Sequence, residues 1–406
     1  MTSASTIDWS RRIARRARQM KPSALRELLK LSSRPEMISF AGGLPAAEMF
    51  PLDRVAAAVQ SVLGQVGGRA LQYGETEGVL ELREWIAHHY SNANLSLKAE
   101  NVLITTGAQQ ALDLVGRVLL DDGDRVIVEN PTYMAALLAW QPCGAIFVPI
   151  GADSNGMKAD ELGPLLKEQP KMVYLIPNFQ NPTGVTMTRE RRQLLIDVLQ
   201  GRDAVLFEDN PYAELRYEGE PLRSLLESDS PPDDGGRVIQ AGTFSKTLMP
   251  GLRVGWVIGP RQIIERMGRA KQAMDLHTST FNQYIALALL NSGYLEEFIP
   301  RLRRVYRERR DTMLAALQQH FPPGSCWTRP EGGMFIFVTL PEDVSAGSLL
   351  PRALERNVAF VPGEEFHLDD TGQNTMRLNF TKASVAEINS GISRLAEVIK
   401  LFSTGE

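Results

Sequence analysis

Between residues 101 and 259, short β-branched runs alternate with helix-length segments, and this alternation narrows the fold more than any other feature of the chain. NVLITT (101–106) reads as a strand and AQQALDLVGRVLL as a helix; DRVIVEN (124–130) is again a strand, and PTYMAALLAW begins another helix. AIFVPI, MVYLIP and AVLFED follow as strands, and RVIQAGT and LRVGWVIG complete the series. Strands that alternate with helices build βαβ units and a largely parallel sheet. The predicted class is α/β: a large domain whose mostly parallel sheet is flanked by helices. From about residue 290 the pattern changes. YLEEFIPRLRRVYRERRDTMLAALQQHF is a long helical stretch with arginines on its polar face, and strand-like MFIFVTL, VAFVPG and TMRLNF come after it. A smaller α+β domain is expected there. The expected division is an N-terminal arm and helix over 1–50 that joins the small domain, a large domain over 51–290, and the small domain over 291–406.

The chain is ample for such a core: 406 residues, 43% hydrophobic and 23% charged, the balance of a soluble globular protein. A net charge of −4 implies no polyanionic partner. Two cysteines, Cys143 and Cys326, form no disulfide framework, and five scattered histidines lack zinc spacing. A reducing, cytoplasmic setting without a bound metal is expected. No signal peptide and no apolar run of membrane-spanning length is evident. The basic cluster Arg11, Arg12, Arg15, Arg16, Arg18 and Lys21 reads as one solvated amphipathic helix with Ile13 and Ala17 against the body, because no interleaved aromatics suggest nucleic acid.

In open parallel sheets, ligands bind beyond the carboxyl ends of the strands. After NVLITT stand Gly107, Ala108 and Gln109; after VIVEN, Tyr133; after MVYLIP, the run NFQNPTG with Asn181. AVLFE leads into Asp209 and Tyr212, and RVIQAG into Thr243, Ser245 and Lys246, with Arg253 beyond a Pro-Gly pair. Each strand end thus offers a polar, aromatic or glycine residue.

GTFSKTLMPGLRVG, NPTG and EDNPY, in this order and spacing, resemble the fold-type I (class I/II) aminotransferases that use pyridoxal 5′-phosphate, and the likeness runs from about residue 20 to the end. Within that family the start, ALRELLKLSSRPEMISFAGGLPAAEMFP, is similar to the 2-aminoadipate aminotransferase and kynurenine aminotransferase II group. The resemblance implies a fold-type I architecture and a site role for each strand-end residue. Lys246 is the amine that holds the cofactor aldehyde and moves the Cα proton. An ordinary lysine has a pKa of about 10.4, so making it a free amine near neutrality asks about 4 kcal/mol of differential stabilisation. Asp209 pairs with the pyridine nitrogen, Asn181 and Tyr212 bind the ring oxygen, and Tyr133 stacks on the ring. The opening of a helix at Gly107, Ala108 and Gln109 suits the phosphate, as do Thr243, Ser245 and the charge-assisted reach of Arg253. Tyr73 matches a family tyrosine that reaches the phosphate of the neighbouring subunit, which implies a homodimer with shared sites.

For substrate, the resemblance assigns the α-carboxylate to Arg377 in TMRLNF, and secondarily to Asn181; a planar bidentate guanidinium does what lysine cannot. Gly43 lets the backbone approach the substrate, and Arg26 faces a distal carboxylate. The expected activity is transfer of an amino group from an L-amino acid (2-aminoadipate, with leucine or aromatic amino acids as further donors) to 2-oxoglutarate by a ping-pong mechanism. Lysine biosynthesis is the expected pathway. The same cofactor residues would serve a β-lyase or a cyclopropane-forming synthase. A regulatory protein with an aminotransferase-like domain fits less well, because some 35 residues before FAGGLP are too few for a DNA-binding domain and linker.

Overall fold

The computed structural model describes residues 7–18, 28, 34 and 36–404. The first strand, β1 (Ile38–Ser39), belongs to the arm. The large sheet comprises β2 (Val102–Thr105), β3 (Arg125–Asn130), β4 (Ile146–Asp153), β5 (Gly156–Met157), β6 (Met172–Leu175), β7 (Val205–Asp209), β8 (Val238–Thr243) and β9 (Gly255–Ile258). Their order is β2-β9-β8-β7-β6-β3-β4-β5. Pairs among β8, β7, β6, β3 and β4 are parallel, whereas β9 lies antiparallel between β2 and β8. β2 therefore points the same way as the parallel set, and all these strands end on one rim.

The sequence explains this arrangement locally. VLIT of β2 and MVYL of β6 are buried throughout, as strands covered by helices on both faces must be. The helix Ala108–Leu119 follows β2, and the helix Met134–Trp140 follows β3. Trp140, fully buried, locks the two helices together by donating its indole N–H to Leu112 O at 2.7 Å. The exception to the parallel rule has a physical cause. Parallel strands need a crossover of a dozen or more residues, but β8 and β9 are joined by the short loop 244–254, so the chain turns back and β9 runs the other way. That loop carries Lys246.

The remaining strands are β10 (Cys326–Trp327), β11 (Phe335–Thr339), β12 (Val358–Ala359), β13 (Val361–Pro362) and β14 (Thr375–Asn379). Four of them form an antiparallel sheet in the order β10-β11-β14-β13. β1 pairs with β12 in parallel, Ile38 opposite Val358 and Ser39 opposite Ala359, and Asn379 N–H donates to Phe40 O at 2.8 Å. The arm is thereby tied to the strands that follow residue 334. The long helix Tyr294–His320 spans the arginine-rich stretch.

The basic N-terminal cluster departs from expectation. It forms two short helices, Trp9–Arg12 and Arg15–Arg18, broken where Ile13 adopts an extended conformation. Ile13 is 44% exposed and Ala17 is also exposed, so neither packs against the body. Four-residue helices bury too little to hold an apolar face down. Lys21 lies outside the described residues, among which no helix is long and apolar enough to cross a membrane.

Candidate active site

The rim of the large sheet meets the small antiparallel sheet at Lys246. Its Nζ donates to Gly43 O at 2.7 Å, so the arm passes directly beside the lysine. Gly43 is built for that approach, since a Cβ there would come within 2.9 Å of the Phe335 ring. Burial lowers the Lys246 pKa to about 8, and the positive charges of Arg377 and Arg253 push the same way. About a tenth is therefore free amine at pH 7.

Asp209, at the end of β7, is buried. Its Oδ2 accepts the Tyr174 hydroxyl at 3.0 Å, while its Oδ1 is buried with no hydrogen-bond partner among the described residues. Burial raises its pKa to about 7; the Tyr174 bond lowers it and the neighbouring charge of Glu208 raises it. Tyr174 lies in the middle of MVYLIP, wedged edge-on against Trp140 at 5.1 Å. Nothing in a strand pattern marks one apolar-run tyrosine as the partner of a distant aspartate, and the sequence reading missed it.

Tyr133 and Tyr212 belong to the same electrostatic neighbourhood. Burial pushes the Tyr133 hydroxyl up to about 12 and Asp209 adds to this; burial, Tyr133 and Asp209 push Tyr212 higher still. Tyr212 also stands edge-on to Phe335 of the small antiparallel sheet, with centroids 6.0 Å apart.

Arg377 is interior to the small sheet, between Phe337 of β11 and Val361 of β13, and only 2% exposed. Its Nη1 donates to Asn181 Oδ1 at 2.8 Å and its Nη2 to Ala41 O at 2.6 Å. Its Nε is buried without a partner, and no carboxylate pairs with it among the described residues. The guanidinium lies over Phe335 and Phe366, at 4.3 and 4.8 Å from the ring centroids. Burial pulls its pKa down to about 10, so it remains a cation at neutral pH.

A second cluster forms where the helix Ala108–Leu119 begins. Gly107 precedes it with φ +82, a conformation that favours glycine, and a Cβ there would come within 2.5 Å of Arg253 Nη2 and displace that guanidinium. Arg253 Nη2 donates to Thr106 O at 3.1 Å. Thr243 and Ser245 share a hydroxyl–hydroxyl bond of 2.9 Å on the adjoining loop. Ala108 is partly open, whereas the Gln109 side chain turns to Ala135 O at 3.3 Å.

One predicted residue does not join these clusters. Tyr73 is 78% exposed, its ring edge-on to His277 at 5.8 Å. Arg26 lies outside the described residues. Gly43 was read only as a place where the backbone approaches the substrate; the Ala41 and Gly43 carbonyls as acceptors were missed, because backbone acceptors leave no side-chain signature.

Comparison with known proteins points the same way. Residues 35–395 match the family model described as aminotransferase class I and II. The chain is 42% identical over 395 residues to the 2-aminoadipate transaminase of Thermus thermophilus, covering 97% of this chain and 98% of that protein. It is 44% identical over 407 residues to aromatic-amino-acid aminotransferase 1 of Thermococcus litoralis, covering 98% and 96%. Among solved structures, the α-aminoadipate aminotransferase of Thermus thermophilus, complexed with N-(5′-phosphopyridoxyl)-L-leucine, superposes with a TM-score of 0.91 at 40% identity, covering 98% of this chain and all of that one.

Proposed function

The chain belongs to the class I and II aminotransferases, enzymes that work with pyridoxal 5′-phosphate, and on that premise we propose that it moves the amino group of L-2-aminoadipate to 2-oxoglutarate, with leucine and aromatic amino acids as further donors. The observation that carries this reading is Arg377. A guanidinium that is buried, still charged, and held only by neutral oxygens is costly unless an anion arrives. Its unpartnered Nε, with Asn181 and Ala41 fixing the plane, suits a carboxylate.

The donor set fits the cofactor. Asp209 Oδ1 needs an N–H donor and the protonated pyridine nitrogen would supply one. Gly107, Ala108 and Gln109 at the helix start, with Thr243, Ser245 and Arg253, would hold the phosphate. Asn181 and Tyr212 would meet the ring oxygen, and Tyr133 the ring face. When bound, the cofactor supplies an electrophilic carbonyl and an electron-accepting ring. Lys246 provides the anchoring amine and, once released by the substrate amine, carries the proton that leaves Cα; its lowered pKa lets it act as base and then as acid. Asp209 keeps a positive ring nitrogen in place, and Arg377 aligns Cα with the lysine. Gly43 leaves room for the substrate, and Arg26 is assigned to a distal carboxylate. Two half-reactions sharing one site give ping-pong kinetics.

Tyr73, Leu71 and Leu52 are strongly exposed, which supports a homodimer in which Tyr73 completes the neighbour's phosphate site. Free Cys143 and Cys326 accord with a reducing cytoplasm, and 2-aminoadipate with lysine biosynthesis. The test is a panel of donors (2-aminoadipate, leucine, phenylalanine, kynurenine, aspartate) against 2-oxoglutarate with purified protein. The highest kcat/KM is expected for 2-aminoadipate. A preference for aspartate, or no transfer to 2-oxoglutarate, would refute the assignment.

A further inference from the structure

Behind the helix start lies a charged network, built on a buried lysine, that the chemistry above does not use. Lys271, fully buried, donates to both oxygens of Asp275 at 2.7 and 2.9 Å and to Gln110 Oε1 at 3.1 Å. Lys271 and Asp275 are one turn apart on the helix Arg261–Asp275. Gln110 in turn donates its Nε2 to Asp275 Oδ2 at 2.7 Å, and its Oε1 accepts the Thr106 N–H at 2.8 Å. Only one orientation of this amide satisfies its neighbours, because the oxygen faces two donors and the nitrogen faces a carboxylate.

The polar atoms of Thr106 are all engaged. Its N–H goes to Gln110, its carbonyl receives Arg253, and its hydroxyl meets Asp275 and Thr278, each at 3.1 Å. Thr106 immediately precedes Gly107, the first group of the phosphate cradle. A residue pinned at all its polar atoms fixes the direction of the N–H groups that follow it.

We propose that Gln110, locked in one orientation by the Lys271–Asp275 pair, is a positioning residue that presets the phosphate cradle at Thr106–Gln109 before the cofactor arrives. This rests on the phosphate placement given above. Lys271 is buried and reaches out to Asp275, whose carboxylate stays open to solvent; the pair holds a neutral amide that in turn holds a backbone. The preset geometry would be felt by the phosphate and not by the ring.

The test is equilibrium binding of pyridoxal 5′-phosphate and of pyridoxal, which lacks the phosphate, to the apoprotein. Gln110→Met removes the clamp at similar volume. The double variant Lys271→Met/Asp275→Leu removes both charges together, leaving no unpaired ion. Each is expected to weaken the phosphorylated ligand about tenfold or more, the scale of one lost charge-linked hydrogen bond, and to leave pyridoxal affinity unchanged. Equal loss for both ligands, or no loss for either, would overturn the proposal. Arg253→Met serves as the control: if it too fails to discriminate between the ligands, the phosphate placement itself is wrong and this inference goes with it.

Discussion

Two charges are buried at opposite ends of the site, and they are handled differently. Asp209 sits on the rim of the large parallel sheet, with one oxygen bonded to Tyr174 and the other bare. Arg377 sits inside the small antiparallel sheet, held by Asn181 and Ala41 and flanked by two phenyl rings. The carboxyl can shed its charge, because burial brings its pKa to about 7. The guanidinium cannot, because even at about 10 it stays protonated under working conditions. Asp209 can therefore take up a proton, whereas Arg377 keeps its charge and calls for an anion. In the proposed assignment the permanent end is the substrate end, and the adjustable end is the cofactor end. Lys246, lowered to about 8, titrates between the two.

The largest effect should come from the adjustable end. Asp209→Asn is expected to lower kcat about 10³-fold, comparable to removing a preorganised electrostatic contact from a dry site. The same change should stabilise the apoprotein at high pH. A carboxyl whose folded pKa is raised costs nothing below its unfolded value near 4, and the penalty grows as pH rises to about 7. Thermal melts of the apoproteins should show the variant ahead at pH 8 and the gap closing near pH 4.

At the permanent end, Arg377→Lys should cost about 10²-fold in kcat/KM for amino acids, because a point charge cannot reproduce the bidentate contact. The cofactor spectrum of the unliganded holoenzyme should be unaltered, which steady-state kinetics and absorbance together would check. If the spectrum changed as much as it does for Asp209→Asn, the two ends would not be separable.

Tyr174→Phe removes one hydroxyl at nearly constant shape and should cost about tenfold in kcat. Without that donor the Asp209 pKa should rise, so the variant's activity should fall off at a higher pH on the acid side than the wild type's. The smallest effect needs no mutation. Only the free amine of Lys246 can capture the cofactor, so the rate of capture by apoprotein should rise with pH through a midpoint of about 8, and stopped-flow absorbance would follow it.

The two ends were also unequally legible. Asp209, Lys246 and the Gly107 turn each close a strand with its own hydrophobic run, so the rule that ligands bind at carboxyl ends exposes them directly. Arg377 was legible as a misfit, a cation in the middle of an apolar strand. Its environment was not: Ala41 is 336 residues away in sequence and acts through its backbone, and the stacking rings of Phe335 and Phe366 look like ordinary core. Tyr174 was hidden for the same reason. The pairing of β1 with β12 joins segments from opposite ends of the chain, which no local pattern encodes. The reversal of β9 could have been read from the short loop before it. The two broken basic helices near the N-terminus show the converse failure, a plausible apolar spacing whose residues Ile13 and Ala17 stay exposed.

The most direct measurement is a single turnover of the holoenzyme with L-2-aminoadipate, and separately with the amine left when its α-carboxyl is removed, both without any 2-oxo acid. If Arg377 receives the α-carboxylate and Lys246 the Cα proton, the amino acid yields one equivalent of its 2-oxo acid per site and then stops until 2-oxoglutarate is added, while the amine scarcely reacts. Comparable rates for the two compounds, or release of no oxo acid from the first, would contradict it.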